Sequence, residues 1–227
     1  MLYCILMEII YEDNHLIVVY KKSGEIVQGD KTGDIPLSEK LKVWLKIKYS
    51  KTGNVFLGVV HRLDRPVSGL VIFAKTSKAL TRLNSMISRG EIHKTYWAIV
   101  QNSPEVQSAT LTNWIVRNER QNKSYVYNSE VPKSKKAVLR YTVIGHTNHY
   151  TLLEVNLLTG RHHQIRCQLA SIGCQIKGDI KYGARRTNSD ASISLLSHKI
   201  EFIHPVSKKL VSLISPLPSD AIWDNFR

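Results

Sequence analysis

His61-Arg-Leu-Asp-Arg-Pro-Val-Ser-Gly-Leu70 lies between two short apolar, β-rich runs, Phe56-Leu-Gly-Val-Val60 and Leu70-Val-Ile-Phe-Ala74. Pro66 and Gly69 prevent a continuous helix, so the stretch reads as a kinked loop joining two strands. It carries one carboxylate, Asp64, between Arg62 and Arg65. Loops borne on rigid strands are where reactive groups are commonly displayed. Neighbouring guanidinium groups keep a carboxylate ionised, the state that a nucleophile or an electrostatic partner needs. Spacing alone leaves a second reading open, a structural Arg/Asp pair beside a tight turn.

Outward from this loop the chain alternates strand and helix signals. Residues 8–28 read as a hairpin, with Ile9-Ile10 and Leu16-Ile-Val-Val19 flanking the Asp13-Asn14 turn and a further turn at Gly24. Residues 37–49 set Leu41, Trp44 and Leu45 at helical spacing before the Thr52-Gly53-Asn54 breaker. Ser77 is expected to cap a helix whose Leu80, Leu83 and Ile87 form a stripe ending at Gly90. Residues 94–100 read as a strand. Residues 117–136 carry Arg117, Arg120, Lys123, Lys133, Lys135 and Lys136 with two tyrosines between them, and are expected to form a basic loop region. Strands follow at 137–144 and 150–157, then a helix after Thr159 with Ile165, Leu169 and Ile172 on one face. Short strands at 194–202 and 210–214 precede Pro216 and Pro218, which end regular structure.

A second constellation is Thr159-Gly-Arg-His-His-Gln-Ile-Arg166, where a glycine turn leads into a helix. Free amides there, with Arg161 and Arg166, suit a phosphate or a carboxylate. His162 and Arg166 are expected one helical turn apart and on one side. A capped helix with a polar outer face fits the same residues. His162, His163, Cys167 and Cys174 are close in sequence, but their spacing matches no zinc ribbon or finger, so no metal is expected. The two cysteines read as small buried hydrophobes.

The chain has 227 residues, 43% of them hydrophobic, with no repeat, low-complexity tract or linker, and is expected to fold as one domain. No apolar run approaches the roughly 20 residues that cross a bilayer, and Met1-Leu-Tyr-Cys-Ile-Leu-Met7 lacks the basic leader of a signal peptide. Three cysteines, Cys4, Cys167 and Cys174, are too few for a disulfide framework and fit a reducing, cytoplasmic setting. A net charge of +14 points to a polyanionic partner, because lysines and arginines that neutralise phosphates release condensed counterions. An anionic membrane is a poorer fit without a long basic amphipathic helix.

His61-Arg-Leu-Asp64, followed by Ser68-Gly-Leu70 and Ala74-Lys75, closely resembles the signature of RluA-like pseudouridine synthases. The likeness extends in order along the chain. It includes Ile10-Tyr-Glu-Asp-Asn-His-Leu-Ile-Val-Val19, Lys94-Thr-Tyr96 and Leu158-Thr-Gly-Arg-His-His-Gln-Ile-Arg166. It continues through Lys177-Gly-Asp-Ile-Lys-Tyr-Gly183, Leu196-Ser-His-Lys199, Phe202-Ile-His-Pro205 and Ser215-Pro-Leu-Pro218.

The resemblance implies an α+β fold, a bent and largely antiparallel sheet with surrounding helices, and a catalytic set of Asp64, Tyr96 and Arg166. Asp64 matches the family's catalytic aspartate, Tyr96 the tyrosine against the flipped uracil, and Arg166 the arginine paired with the carboxylate. Arg62 matches an arginine that holds the flipped nucleotide's place. Further RNA contacts are expected from Arg65, Arg161, His162, Lys133, Lys135 and Lys136. The expected partner is ribosomal or transfer RNA, bound by a monomer without metal or organic cofactor. Three positions depart from the family's pattern: Tyr20-Lys-Lys-Ser-Gly24 lacks its usual proline, Val67 replaces a threonine, and Gln168 replaces a histidine. These touch substrate fit more than chemistry. Two other classes fit the residues: an RNA-binding or ribosome-assembly protein without turnover, and a carboxylate enzyme holding a phosphorylated metabolite through Arg161 and Arg166.

Overall fold

The computed structural model describes residues 7–226, so Cys4 and most of the apolar start lie outside the described residues. In chain order the first elements are β1 (Glu8–Glu12), β2 (Leu16–Lys21), α1 (Leu37–Lys48), β3 (Gly58–Val59), β4 (Ser68–Ala74) and α2 (Ser77–Ser88). Then come β5 (His93–Val100), β6 (Ser108–Asn118), β7 (Lys123–Tyr127), β8 (Lys135–His146) and β9 (Thr151–Leu157). The remainder is α3 (Gln164–Ser171), a 3-10 turn (Ile180–Tyr182), β10 (Leu195–Ile203), β11 (Leu210–Ile214) and α4 (Ala221–Asp224). The fold is α+β, as expected. No helix among the described residues is long and apolar enough to cross a membrane.

The chain divides into two compact units, residues 1–92 with 197–216, and residues 93–196 with 217–227. No linker marks the division, because each unit is assembled from two separated segments and the second crossing falls inside β10.

In the first unit β1, β2, β4 and β10 are neighbours in that order, with β3 on β4 and β11 on β10. The printed registers of β1 with β2, β2 with β4, β3 with β4 and β10 with β11 are antiparallel. β2 and β4 are buried along their whole length, which is why they read as continuous apolar runs instead of alternating ones. One side packs Leu16, Val18, Leu70 and Ile72 with Ala79, Leu83 and Met86 of α2 and with Phe202 of β10. The α2 cap is Thr76, whose hydroxyl accepts from Ala79 N at 3.1 Å. Ser77 is therefore the first helical residue and not the cap. Gly69 has φ +116°, and a Cβ there would lie 2.4 Å from the Ser197 carbonyl oxygen. The glycine thus lets β4 and β10 approach closely.

In the second unit the order is β5, β9, β8, β6, β7, and each of these pairings is antiparallel. α3 and the 3-10 turn pack on one side of it, where Cys167 and Tyr182 meet Ile115 and Ala137. Both cysteines of the described residues are buried. The stretch 117–136 is not one basic loop: it holds the end of β6, all of β7 and the start of β8. Lys123-Ser-Tyr-Val-Tyr127 alternates an inward Ser124 and Val126 with outward neighbours, and this period-two pattern forms a strand despite its charge.

Candidate active site

Asp64, Arg62 and Arg65 belong to the first unit; Tyr96, Arg161, His162, Arg166 and the three lysines at 133, 135 and 136 belong to the second.

In the first unit the Asp64 carbonyl accepts from Val67 N at 3.0 Å, closing a tight turn over Arg65 and Pro66. Asp64 is partly exposed and Arg62 is exposed. Arg65 reaches toward residues 30–34, donating to Asp34 Oδ2 at 2.6 Å, Thr32 Oγ1 at 2.7 Å and Asp30 Oδ2 at 3.4 Å. Its side chain is thereby committed to two carboxylates that lie far from it in sequence. On the strand side of the loop, His61 Nε2 accepts from Ile72 N at 3.1 Å, which leaves the proton of a neutral ring on Nδ1.

The turn after β2 backs this loop. Gly24 N donates to the Arg65 carbonyl at 2.9 Å and Ser23 Oγ to the Pro66 carbonyl at 3.3 Å. Lys21, with 0% exposure, donates from Nζ to three carbonyls: Val67 at 2.6 Å, Lys22 at 3.0 Å and Arg65 at 3.1 Å. An ammonium has three N–H groups, and each finds an acceptor. Burial pushes the Lys21 amine down to about 7, against the pull of Glu25 and Asp64. The turn at residues 20–24, where Lys22 stands in place of the usual proline, therefore braces the backbone that follows Asp64. Lys21 received no role from the sequence. A signal was present: it ends a strand buried on both faces, where a lysine must find partners.

In the second unit Tyr96 lies on β5, opposite Val155 of β9, and is buried. Arg166 on α3 is 5% exposed and grips Asp179, 2% exposed, through two parallel bonds. Its guanidinium also lies 5.1 Å from the centre of the Tyr182 ring. The Tyr182 hydroxyl accepts from Ser124 N at 2.8 Å and bonds His163 Nδ1 at 2.9 Å. Burial holds that phenol above its ordinary range.

The turn before α3 is locked by Gln164. Its Oε1 accepts from Thr159 Oγ1 at 2.8 Å and from Arg161 N at 2.9 Å, while Nε2 donates to the Val138 carbonyl at 3.1 Å. His163 takes the left-handed conformation, φ 53°, so the helix begins only at Gln164. This corrects the expected helical spacing of His162 and Arg166: His162 precedes the helix, stacks on His163 at 3.8 Å and bonds Ser124 Oγ at 2.9 Å. Arg161 donates to the Lys136 carbonyl at 2.9 Å, bringing two sequence-named cations together, while Lys133 and Lys135 are exposed nearby in the chain. Gln168 is fully buried and donates to Asn113 Oδ1 at 2.8 Å, a bridge from α3 to β6. Val67, the remaining departure, is also buried.

The chain is similar to known proteins in sequence and in fold. The sequence profile of the RNA pseudouridylate synthase family matches residues 15–171, a span containing Asp64, Tyr96 and Arg166. A ribosomal large subunit pseudouridine synthase D of Zymomonas mobilis is 34% identical, the match covering 94% of this chain and 70% of that protein. A ribosomal large subunit pseudouridine synthase C of Vibrio cholerae is 29% identical, covering 92% of this chain and 65% of that protein. The chain thus spans about two thirds of the length of these relatives. Among solved structures, human RNA pseudouridylate synthase domain containing 4 superposes with a TM-score of 0.80 at 22% identity, covering 93% of this chain and 89% of that one.

Proposed function

The chain belongs to the RluA-type RNA pseudouridylate synthase family, isomerases that convert uridine to pseudouridine in RNA, and from that premise we propose that it modifies a uridine of ribosomal RNA with Asp64 as its catalytic carboxylate. The observation that carries the reading is the family match across residues 15–171, which takes in the Asp64 loop, the Tyr96 strand and all of α3 together. The relatives named as ribosomal large subunit synthases favour ribosomal over transfer RNA. Their two different letters leave the target uridine open. The setting is cytoplasmic and the enzyme acts as a monomer.

In the reaction the C1′–N1 bond breaks, the base turns, and a C1′–C5 bond forms; C5 gives up its proton and N1 gains one. Every atom is conserved and no electrons are exchanged, so neither oxidant nor reductant is required. A base inside a helix cannot turn, and the target nucleotide must first leave its stack, at a penalty of a few kcal/mol. Tyr96 receives the flipped uracil and the exposed Arg62 fills its place in the RNA, offsetting part of that penalty. Arg166, oriented by Asp179, supplies fixed positive charge that needs no reorganisation during the reaction. Lys21 and Gly24, bonded to the backbone of residues 65–67, position the Asp64 turn.

The test uses ribosomal RNA carrying labelled uridine, incubated with the wild-type chain and with Asp64→Asn. Wild type should release label into pseudouridine and the variant should not, at equal RNA binding. Equal turnover by both would remove Asp64 from the chemistry, and binding without product by wild type would favour a silent RNA-binding protein.

A further inference from the structure

β6 and β7 present two faces of different character. On one, Ile115, Ser124 and Val126 turn toward the side where α3 and Tyr182 pack. The other is defined by register. Trp114 stands opposite both Tyr127 of β7 and Lys136 of β8, Val116 opposite Tyr125, Asn118 opposite Lys123, and Thr110 opposite Arg140. Side chains alternate with period two and directly paired residues share a face. Trp114, Tyr125, Tyr127, Lys136 and Arg140 therefore point the same way, whereas Lys123 at the start of β7 holds its ammonium 5.3 Å from the Tyr182 ring of the other side and 5.7 Å from the Tyr125 ring.

This face is open to solvent. Tyr125 is 38% and Tyr127 42% exposed, Lys136 and Arg140 are exposed, and Trp114 is half-buried between its two cross-strand neighbours. Exposed tyrosines on adjacent outward positions of an edge strand contribute little to a core, so sheet stability does not account for them. Between the Thr110–Arg140 and Asn118–Lys123 pairs no described residue on this face is a carboxylate. Lys136 stands directly across from Trp114, so cation and aromatic surface are interleaved on this face.

Flat rings with cations around them, and no acid among them, match a ligand with flat rings and a repeating negative charge. Aromatic faces hold unpaired bases regardless of sequence, and lysine and arginine track the phosphates. An apolar protein surface would offer Lys136 and Arg140 no counter-charge.

We propose that the outward face of β6, β7 and β8 is a stacking platform for a single-stranded segment of the substrate RNA. Bases rest on Tyr127, Trp114 and Tyr125; phosphates meet Lys136 and Arg140. The inference rests on the RNA reading above and adds a recognition surface outside the catalytic set.

The test titrates the full chain with a labelled single-stranded oligouridylate. Replacing both tyrosines, Tyr125→Ala with Tyr127→Ala, should weaken binding at least about tenfold, whereas Tyr125→Phe with Tyr127→Phe should restore it, because the ring and not the hydroxyl does the stacking. Lys136→Gln with Arg140→Gln should lower the slope of log K against log salt by about 1.4, from about 0.7 per phosphate contact on single strands. Tryptophan fluorescence gives a local readout in the folded protein: quenching on binding should be reduced in Trp114→Phe while affinity is kept. Wild-type affinity in the double alanine variant, equal loss in the phenylalanine variant, or quenching unchanged in Trp114→Phe would each overturn the platform. Asp64→Asn should bind and quench like wild type. Quenching without pseudouridine from wild type would remove the catalytic reading alone, and pseudouridine without quenching would remove the platform alone.

Discussion

Arg166 and Asp179 meet side to side, Nε to Oδ2 at 2.7 Å and Nη2 to Oδ1 at 2.8 Å, in surroundings that exclude solvent from both. Two parallel bonds fix the plane of the guanidinium as well as its position, which a lysine ammonium cannot reproduce. Asp179→Ala leaves a buried cation without this carboxylate and should destabilise the chain by about 3–5 kcal/mol, read from urea denaturation. Arg166→Lys should fold more nearly as wild type but lose pseudouridine formation, since the single ammonium cannot hold the fork. Activity within a factor of two or so of wild type in Arg166→Lys would show that fixed guanidinium orientation is not needed.

Gly69 and Gly24 both have positive φ, but only one of them is crowded. A Cβ on Gly69 would meet the Ser197 backbone at 2.4 Å, whereas a Cβ on Gly24 would meet nothing within 4 Å. Gly24→Ala should therefore cost about 1–2 kcal/mol, the strain of an L-residue in that region. Gly69→Ala carries a comparable strain and in addition must separate β4 from β10, so its loss should exceed that of Gly24→Ala by at least about 2 kcal/mol. Equal thermal shifts in the two variants would contradict the close approach.

Much of this arrangement was legible in the sequence, and each exception has its own physical cause. The β1–β2 hairpin, α1, α2 and β4 were readable because apolar periodicity and turn residues act locally. β7 was not, because an edge strand with one face in solvent carries the same lysines and tyrosines as a loop. The start of α3 was misplaced because the left-handed His163 interrupts a pattern that periodicity extends through it. Asp64, Tyr96 and Arg166 stood out through the family likeness, but their supports did not. Arg65 turns to Asp30 and Asp34, Arg166 to Asp179, and Lys21 to carbonyls 44 and 46 residues away, and such pairings depend on the tertiary path of the chain.

Cys167 and Cys174 should be inert in the folded chain. Burial pushes the Cys167 thiol up to about 12 and the Cys174 thiol up to about 11, so almost no thiolate exists near neutral pH. A maleimide reagent, followed by peptide mass spectrometry to resolve each cysteine, should label neither until denaturant unfolds the protein. Rapid labelling of Cys167 in the native state would mean that α3 opens readily from β6 and β7.

Lys21 links stability to pH in a direction opposite to that of a paired lysine. In the unfolded chain its amine holds a proton up to the ordinary 10.5, while in the folded chain it releases it near 7. Between those values the unfolded state binds more protons, so this group's contribution to stability rises with pH through that window and is flat below it. Lys21→Met keeps the length of the side chain but abolishes that rise, and it strands the carbonyl of Val67, while those of Arg65 and Lys22 keep the donors Gly24 N and Glu25 N. The stranded Val67 acceptor costs about 1–3 kcal/mol, partly offset because no ammonium is then buried. Urea midpoints for both proteins at pH 7 and pH 9 should show the wild-type advantage widening at the higher pH. Catalysis should move the other way, because the neutral amine has two N–H donors for three carbonyls and the turn bearing Asp64 loses one restraint. Turnover of wild type relative to its own maximum should then decline above about pH 7, and Lys21→Met should be slow without that decline. Parallel pH profiles in the two proteins would separate the Lys21 proton from the positioning of Asp64.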